Sequence, residues 1–194
     1  MNLEITKLSA KELLTTLFDL TVVPFFISSS VYRTPMRKYL REREIEKADF
    51  YHKIHYLKSQ GLIQKFTEGK EGYLELTEKG MKRLTKYRLN DIAIKKVDRW
   101  DRKWRVIIFD IPEKYRYRRD ILRNKLQNFE CIQVQKSVYV YPFPCTEEIS
   151  TLCKILDINK YTTIMLAEII QGENEIIGHF IEKGILNQHD LKTT

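Results

Sequence analysis

Glycine is scarce in this chain, with seven in 194 residues. None falls in a G-x-x-x-x-G-K-[ST] or G-x-G-x-x-G pattern, and neither G-x-S-x-G nor H-E-x-x-H occurs. The sequence therefore offers no phosphate-cradling loop, no strained nucleophile turn and no zinc-protease helix. Cysteine is scarcer still: Cys131, Cys145 and Cys153. An odd number without a C-x-x-C pair fits neither a disulfide framework nor a zinc site, and reads as free thiols of a reducing compartment. Long apolar runs are missing too. The run LTVVPFFI is too short, and too broken by Pro24, to span a bilayer. With no signal peptide, the expected location is the cytoplasm and no membrane partner is expected.

What is present is apolar residues and positive charge. Hydrophobic residues make up 43%, enough for each half of the chain to bury a core. The net charge is +8 and the pI about 9.3, which suits a polyanionic partner. The charge is unevenly placed. Residues 33–90 carry 15 Lys and Arg against 8 Asp and Glu, and residues 91–125 carry 12 against 6. From residue 126 onward the count is 5 against 9. A membrane-binding helix needs basic and apolar faces on one segment, whereas here the basic residues spread over several predicted elements. That favours nucleic acid, and a helix-turn-helix in the same chain would make the partner double-stranded DNA.

The N-terminal half reads as helices followed by a hairpin. Residues 7–26 form an amphipathic helix: Ser9 and Glu12 stand at capping-box spacing, and Leu13, Leu14, Leu17 and Phe18 make one stripe. Thr34-Pro35 opens a short helix to about Glu42. A third helix runs from Lys47 to Gln60 and stops at Gly61, with Phe50, Ile54 and Leu57 inward. Its other side carries Tyr51, His52, His55, Tyr56 and Ser59. Residues 62–67 and 73–76 then form a hairpin, and Thr77 caps a helix from Glu78 to about Leu89. This order is that of a winged helix-turn-helix, placed at residues 1–89. The tracts LKSQGLI (57–63) and YLELTEKG (73–80) resemble the N-terminal domain of bacterial winged-helix regulators.

Residues 90–102 are a charged connector, and a second domain spans 103–194. Val106 to Phe109 is a continuous apolar strand. Pro112 opens a helix with Tyr115, Leu122, Leu126 and Phe129 on one side and Arg116, Arg119 and Arg123 along a flanking stripe. Ile132 and Val134, then Val138 and Val140, alternate as two strands. Thr146 to Leu156 is a second helix and Thr162 to Ile169 a fourth strand. The order βαββαβ is ferredoxin-like. Residues 173–186 are ambiguous between a short strand with a helix and an arm used in dimer contact. The expected fold class is α+β, a winged helix-turn-helix followed by a ferredoxin-like domain.

Three tracts carry a second resemblance: WDRKWRVIIFDIPE (100–113), RRDILRNKL (118–126) and QKSVYVYP (135–142). They look like the phenylacetic-acid-type repressor (PaaX-like) family, whose central domain is similar to the small CRISPR-associated protein Cas-two. With the winged helix, the resemblance covers roughly residues 9–170. It implies a homodimeric, DNA-binding transcriptional repressor. Full-length regulators of this type are implied to carry a further C-terminal domain. The chain stops before one, so a small-molecule effector such as an aryl-CoA is not expected.

Candidate site residues follow. On the third helix, Lys47, Tyr51, His52 and His55 are placed to meet base edges in the major groove, with a protein-docking face as the alternative. Lys65 and Lys70 in the hairpin are placed to contact phosphates, which position a protein without specifying sequence. Arg116, Arg119 and Arg123 are candidates for gripping phosphates or an acidic partner, against the plainer reading of a solvated face. Asp110 is the candidate for chemistry. The Cas-two resemblance implies a Mg-dependent endonuclease in which two copies of this aspartate hold one ion across a dimer. The plain alternative is a turn-capping residue before Pro112. A DNA-holding subunit of the CRISPR-adaptation type is a further alternative.

Overall fold

A computed structural model describes residues 8–19, 41–42, 45–68, 71–95, 97, 99–168, 170–187 and 189–191. The chain divides into two compact units, Met1–Arg88 and Leu89–Thr194. The protein is of mixed α+β class.

In the first unit, helix α1 spans Ala10–Asp19. Its start is a reciprocal capping box. The Ser9 amide donates to Glu12 Oε2 at 2.7 Å, and the Glu12 amide donates to Ser9 Oγ at 3.1 Å. These bonds favour the carboxylate and lower the Glu12 pKa. The rest of the predicted first helix lies outside the described residues. So does the predicted short helix, apart from Arg41 and Glu42, which are helical.

Helix α2 spans Lys47–Ser59 and ends in a Schellman turn. The Gly61 amide donates to Lys58 O at 2.9 Å and the Leu62 amide to Leu57 O at 2.9 Å. Gly61 sits at φ +66°, the conformation a glycine adopts without steric cost. Strands β1 (Ile63–Glu68) and β2 (Glu71–Leu76) pair antiparallel from Ile63↔Leu76 to Glu68↔Glu71.

Helix α3 spans Glu78–Asp91. The Thr77 hydroxyl donates to Gly61 O at 2.6 Å and accepts the Gly80 amide at 3.1 Å. A Cβ on Gly80 would lie 2.0 Å from Leu62 O, so the tract TEKG brings helix and turn closer than any other residue permits. The stripe expected for α1 is buried at Leu13, Leu14 and Leu17, packed with Phe50, Leu57, Leu62, Ile63 and Leu84.

In the second unit, β3 (Trp104–Phe109) is followed by a 3-10 turn (Glu113–Tyr115) and α4 (Arg116–Asn128). Then come β4 (Ile132–Gln135), β5 (Val138–Tyr141), α5 (Thr146–Ile155) and β6 (Thr162–Ala167). The sheet order is β4-β5-β3-β6 with every pair antiparallel. Register places Ile107 opposite Tyr139 and Ile164, and Val106 opposite Val140 and Met165. Alternation thus gives one sheet face Ile107, Phe109 and Tyr139, and the other Val106 and Val140. All five are buried, as the continuous apolar run in β3 requires.

The C-terminal stretch is not an arm. Helix α6 (Glu173–Glu182) packs on its own unit. The Trp104 indole donates to Glu173 Oε1 at 2.7 Å, and Phe180 stacks on Trp104 at 5.9 Å. Asp190, buried, accepts the Trp100 amide at 3.2 Å and the Asn187 amide at 2.9 Å. Nor is the stretch 90–102 a bare connector. Trp100 is buried against Trp104 at 4.6 Å, and Ile92 and Ile94 pack on the same core. The reason is a contact between residues some 90 positions apart in sequence, invisible to local periodicity.

Candidate nucleic-acid interface

Helix α2 has two unlike sides. Phe50 and Leu57 are buried and Ile54 is half-buried, while Tyr51, His52, His55, Tyr56 and Ser59 are exposed. Tyr51 and Tyr56 keep 45% and 49% of their surface in solvent, a large exposure for aromatic side chains that a core could have used. The inward stripe fixes the rotation of the helix, so the aromatic and histidine side is held outward by packing. Asp49 is used structurally, accepting the Leu8 amide at 3.0 Å. Lys47 opens α2, but its side chain is outside the described set. Lys65 is exposed in β1, where it pairs with Leu74, and Lys70 lies outside the described residues.

The arginine stripe of α4 is arranged differently. Arg119 donates from Nη1 to Ile111 O at 3.1 Å and from Nη2 to Glu113 Oε2 at 2.7 Å. Arg123 donates to Lys136 O at 3.0 Å, and its guanidinium lies 5.8 Å from the Phe109 ring centroid. The Nε atoms of both are buried. These two side chains tie α4 to the loop after β3 and to the β4–β5 turn. Arg116 differs: it is 70% exposed, with ion pairs of 3.7 Å to Glu113 and 3.9 Å to Asp120. Exposed pairs of that length contribute little and exchange readily. Of the three arginines expected to face a partner, Arg116 is the one held outward.

Asp110 follows directly on β3 and its side chain is exposed. Its surroundings are fixed by backbone bonds: the Phe109 amide donates to Ser137 O at 3.1 Å, and the Asp110 amide to Tyr161 O at 2.9 Å. A divalent hard ion takes several oxygen ligands. The nearest acid in sequence, Glu113, is engaged by Arg119, whose hydrogen bond and charge lower the Glu113 pKa. No group of three or more potential metal ligands occurs among the described residues. Among the described residues, Asp110 is thus not part of such a group.

Two arginines outside the expected set matter to the architecture. Arg105 is buried and bidentate to Asp101, both contacts at 2.6 Å, and also donates to the carbonyls of Lys103 and Pro142. The Arg105 hydrogen bond holds the Asp101 carboxyl below its usual pKa range. Arg118 reaches Asp157 at 2.9 Å. An arginine at the start of an apolar strand was the available signal for Arg105. The three cysteines are free and buried; desolvation pushes Cys145 up to about 12, so its thiol stays protonated at neutral pH.

Residues 97–176 match the family model described as the PaaX protein central Cas2-like domain. This segment is similar to a PaaX-type Cas2-like domain. The match covers β3 through β6, and it is consistent with a PaaX-like family for the protein; the segment before it is not part of the match. Comparison with curated proteins gives no match. No helix among the described residues is long and apolar enough to cross a membrane.

Proposed function

We propose that this protein is a DNA-binding transcriptional regulator of the PaaX type. In this reading the first unit is a winged helix-turn-helix that docks α2 in the major groove. The second is a ferredoxin-like domain that pairs two copies. The carrying observation is the outward side of α2, where Tyr51, His52, His55 and Tyr56 stay in solvent on a helix whose other side packs Phe50 and Leu57 into the core. The hairpin that begins four residues after the end of α2, with Lys65 exposed, has the place of a wing. The Cas2-like match in the second unit supports the same class of protein. A two-fold dimer presents two reading helices to a pseudo-palindromic site.

Lys47, Tyr51, His52 and His55 are assigned to base edges, and Lys65, Lys70 and Arg116 to phosphates. Binding then weakens with salt at a log–log slope of about −0.9 per phosphate neutralised. The test is fluorescence anisotropy on labelled duplex DNA across a salt series. Absence of binding at low ionic strength overturns the reading. Divalent-dependent cleavage by purified protein that disappears in Asp110→Asn replaces it with a nuclease.

A further inference from the structure

The outward side of α2 is marked by residue types that are missing from it. Between Lys47 and Ser59 there is no arginine, asparagine or glutamine. In the major groove arginine takes guanine, and asparagine or glutamine takes adenine, by two hydrogen bonds at once. Aspartate or glutamate takes the amino group of cytosine. Asp49 is the one acid of the helix, half-buried, and it accepts the Leu8 amide at 3.0 Å. Lysine also reaches guanine. Lys53, however, is half-buried with Nζ 6.0 Å from the Tyr56 ring centroid, and Lys58 stands in the last turn. A reading helix meets base edges with its N-terminal residues, and there only Lys47 is left for that contact.

What the first turns present instead is an apolar surface flanked by histidines. Ala48, Tyr51, His52 and His55 are exposed and recur at the three- and four-residue spacing of one helix side. Ala48 is short enough for the helix backbone to come close to a base. The Tyr51 ring meets the buried Phe50 ring edge-on, centroids 5.8 Å apart at 77°, so the core braces a side chain that is 45% exposed. A side chain already braced loses little freedom on contact. The two ring nitrogens of an imidazole point apart, so each histidine makes a single bond to a base edge. Thymine carries a methyl group on its major-groove edge, and apolar side chains are what contact it.

We propose that α2 selects its DNA site by thymine methyl groups, with Ala48 and Tyr51 making the apolar contact and His52 and His55 each adding one hydrogen bond to a neighbouring base edge. The inference rests on the docking of α2 in the major groove under the proposed function, and it names the base that is read. Uracil pairs as thymine does and lacks only the methyl group, so it separates this contact from every hydrogen bond in the site.

The test enriches duplexes from a random DNA library on the full chain, then replaces each thymine of the enriched duplex by uracil, one position at a time, and measures affinity by anisotropy. Enriched duplexes are expected to hold thymine at fixed positions, and uracil at one or more of them lowers affinity roughly fourfold, the contribution of one buried methyl group. In Tyr51→Ala that cost disappears at one position while circular dichroism stays unchanged. Tyr51→Phe, which keeps the ring, keeps the cost. Lys65→Ala weakens the thymine and uracil duplexes by the same factor, as a phosphate contact does. A parent indifferent to every uracil, enriched duplexes without fixed thymines, or a Tyr51→Ala variant that retains every cost overturns the inference and leaves duplex binding standing. Binding to no duplex at low ionic strength overturns the proposed function and the inference with it.

Discussion

Helix α2 in the first unit and helix α4 in the second both carry a polar stripe beside an apolar one, yet the stripes end in different places. On α2 the polar stripe stays in solvent. On α4, Arg119 and Arg123 turn back to the carbonyls of Ile111 and Lys136, which other elements supply. The difference teaches that density of positive charge along a chain does not locate an interface. A guanidinium has five donors, and nearby backbone acceptors claim them before any partner does.

The comparison is broken most severely at Arg105, the fully committed end of the scale. Arg105→Ala removes a buried guanidinium that bonds Asp101 and the carbonyls of Lys103 and Pro142, and is expected to cost roughly 3 kcal/mol, the upper end for hydrogen bonds made by a charged group. Chemical denaturation measures it. The pH dependence follows from sign. The folded Asp101 pKa is depressed, so its contribution is present above the ordinary value of about 3.9 and is lost as pH falls through the folded value. The variant loses that part of the acid sensitivity.

Next in size is Arg123→Ala, which removes a charged hydrogen bond to Lys136 O. It is expected to cost roughly 2 kcal/mol in stability and to leave the salt slope of DNA binding unchanged. Lys65→Ala is its mirror: stability constant and slope reduced by about 0.9. Smaller again is Glu130→Gly. Glu130 holds φ +62° at the end of α4, and removing its Cβ is expected to stabilise the second unit by about 1 kcal/mol.

The last variant sharpens the same contrast between local and distant determinants. Two helices end in the same hydrogen-bond pattern with glycine, at Gly61 and Gly184, and two with Glu130 and Asp157. The glycine at the end of α2 was legible from the sequence, and so was the Ser9–Glu12 cap of α1, because both are local rules about one residue's neighbours. Glu130 and Asp157 gave no such signal. The arginine stripe of α4 was legible as a stripe; its destination was not, because its acceptors lie on residues 111 and 136. The docking of α6 was hidden for the same reason, since Glu173 and Asp190 reach back to Trp104 and Trp100.

The central claim is that the outward side of α2 is available to duplex DNA while Arg119 and Arg123 of α4 are spent on the fold. It is tested most directly by comparing His52→Ala/His55→Ala with Arg123→Ala in one experiment that measures DNA affinity by anisotropy and midpoint by thermal unfolding. The account predicts at least a tenfold loss of affinity with an unchanged midpoint for the histidine variant. It predicts a lowered midpoint with affinity retained for Arg123→Ala. Full affinity in the histidine variant, or lost affinity with an unchanged midpoint in Arg123→Ala, contradicts it.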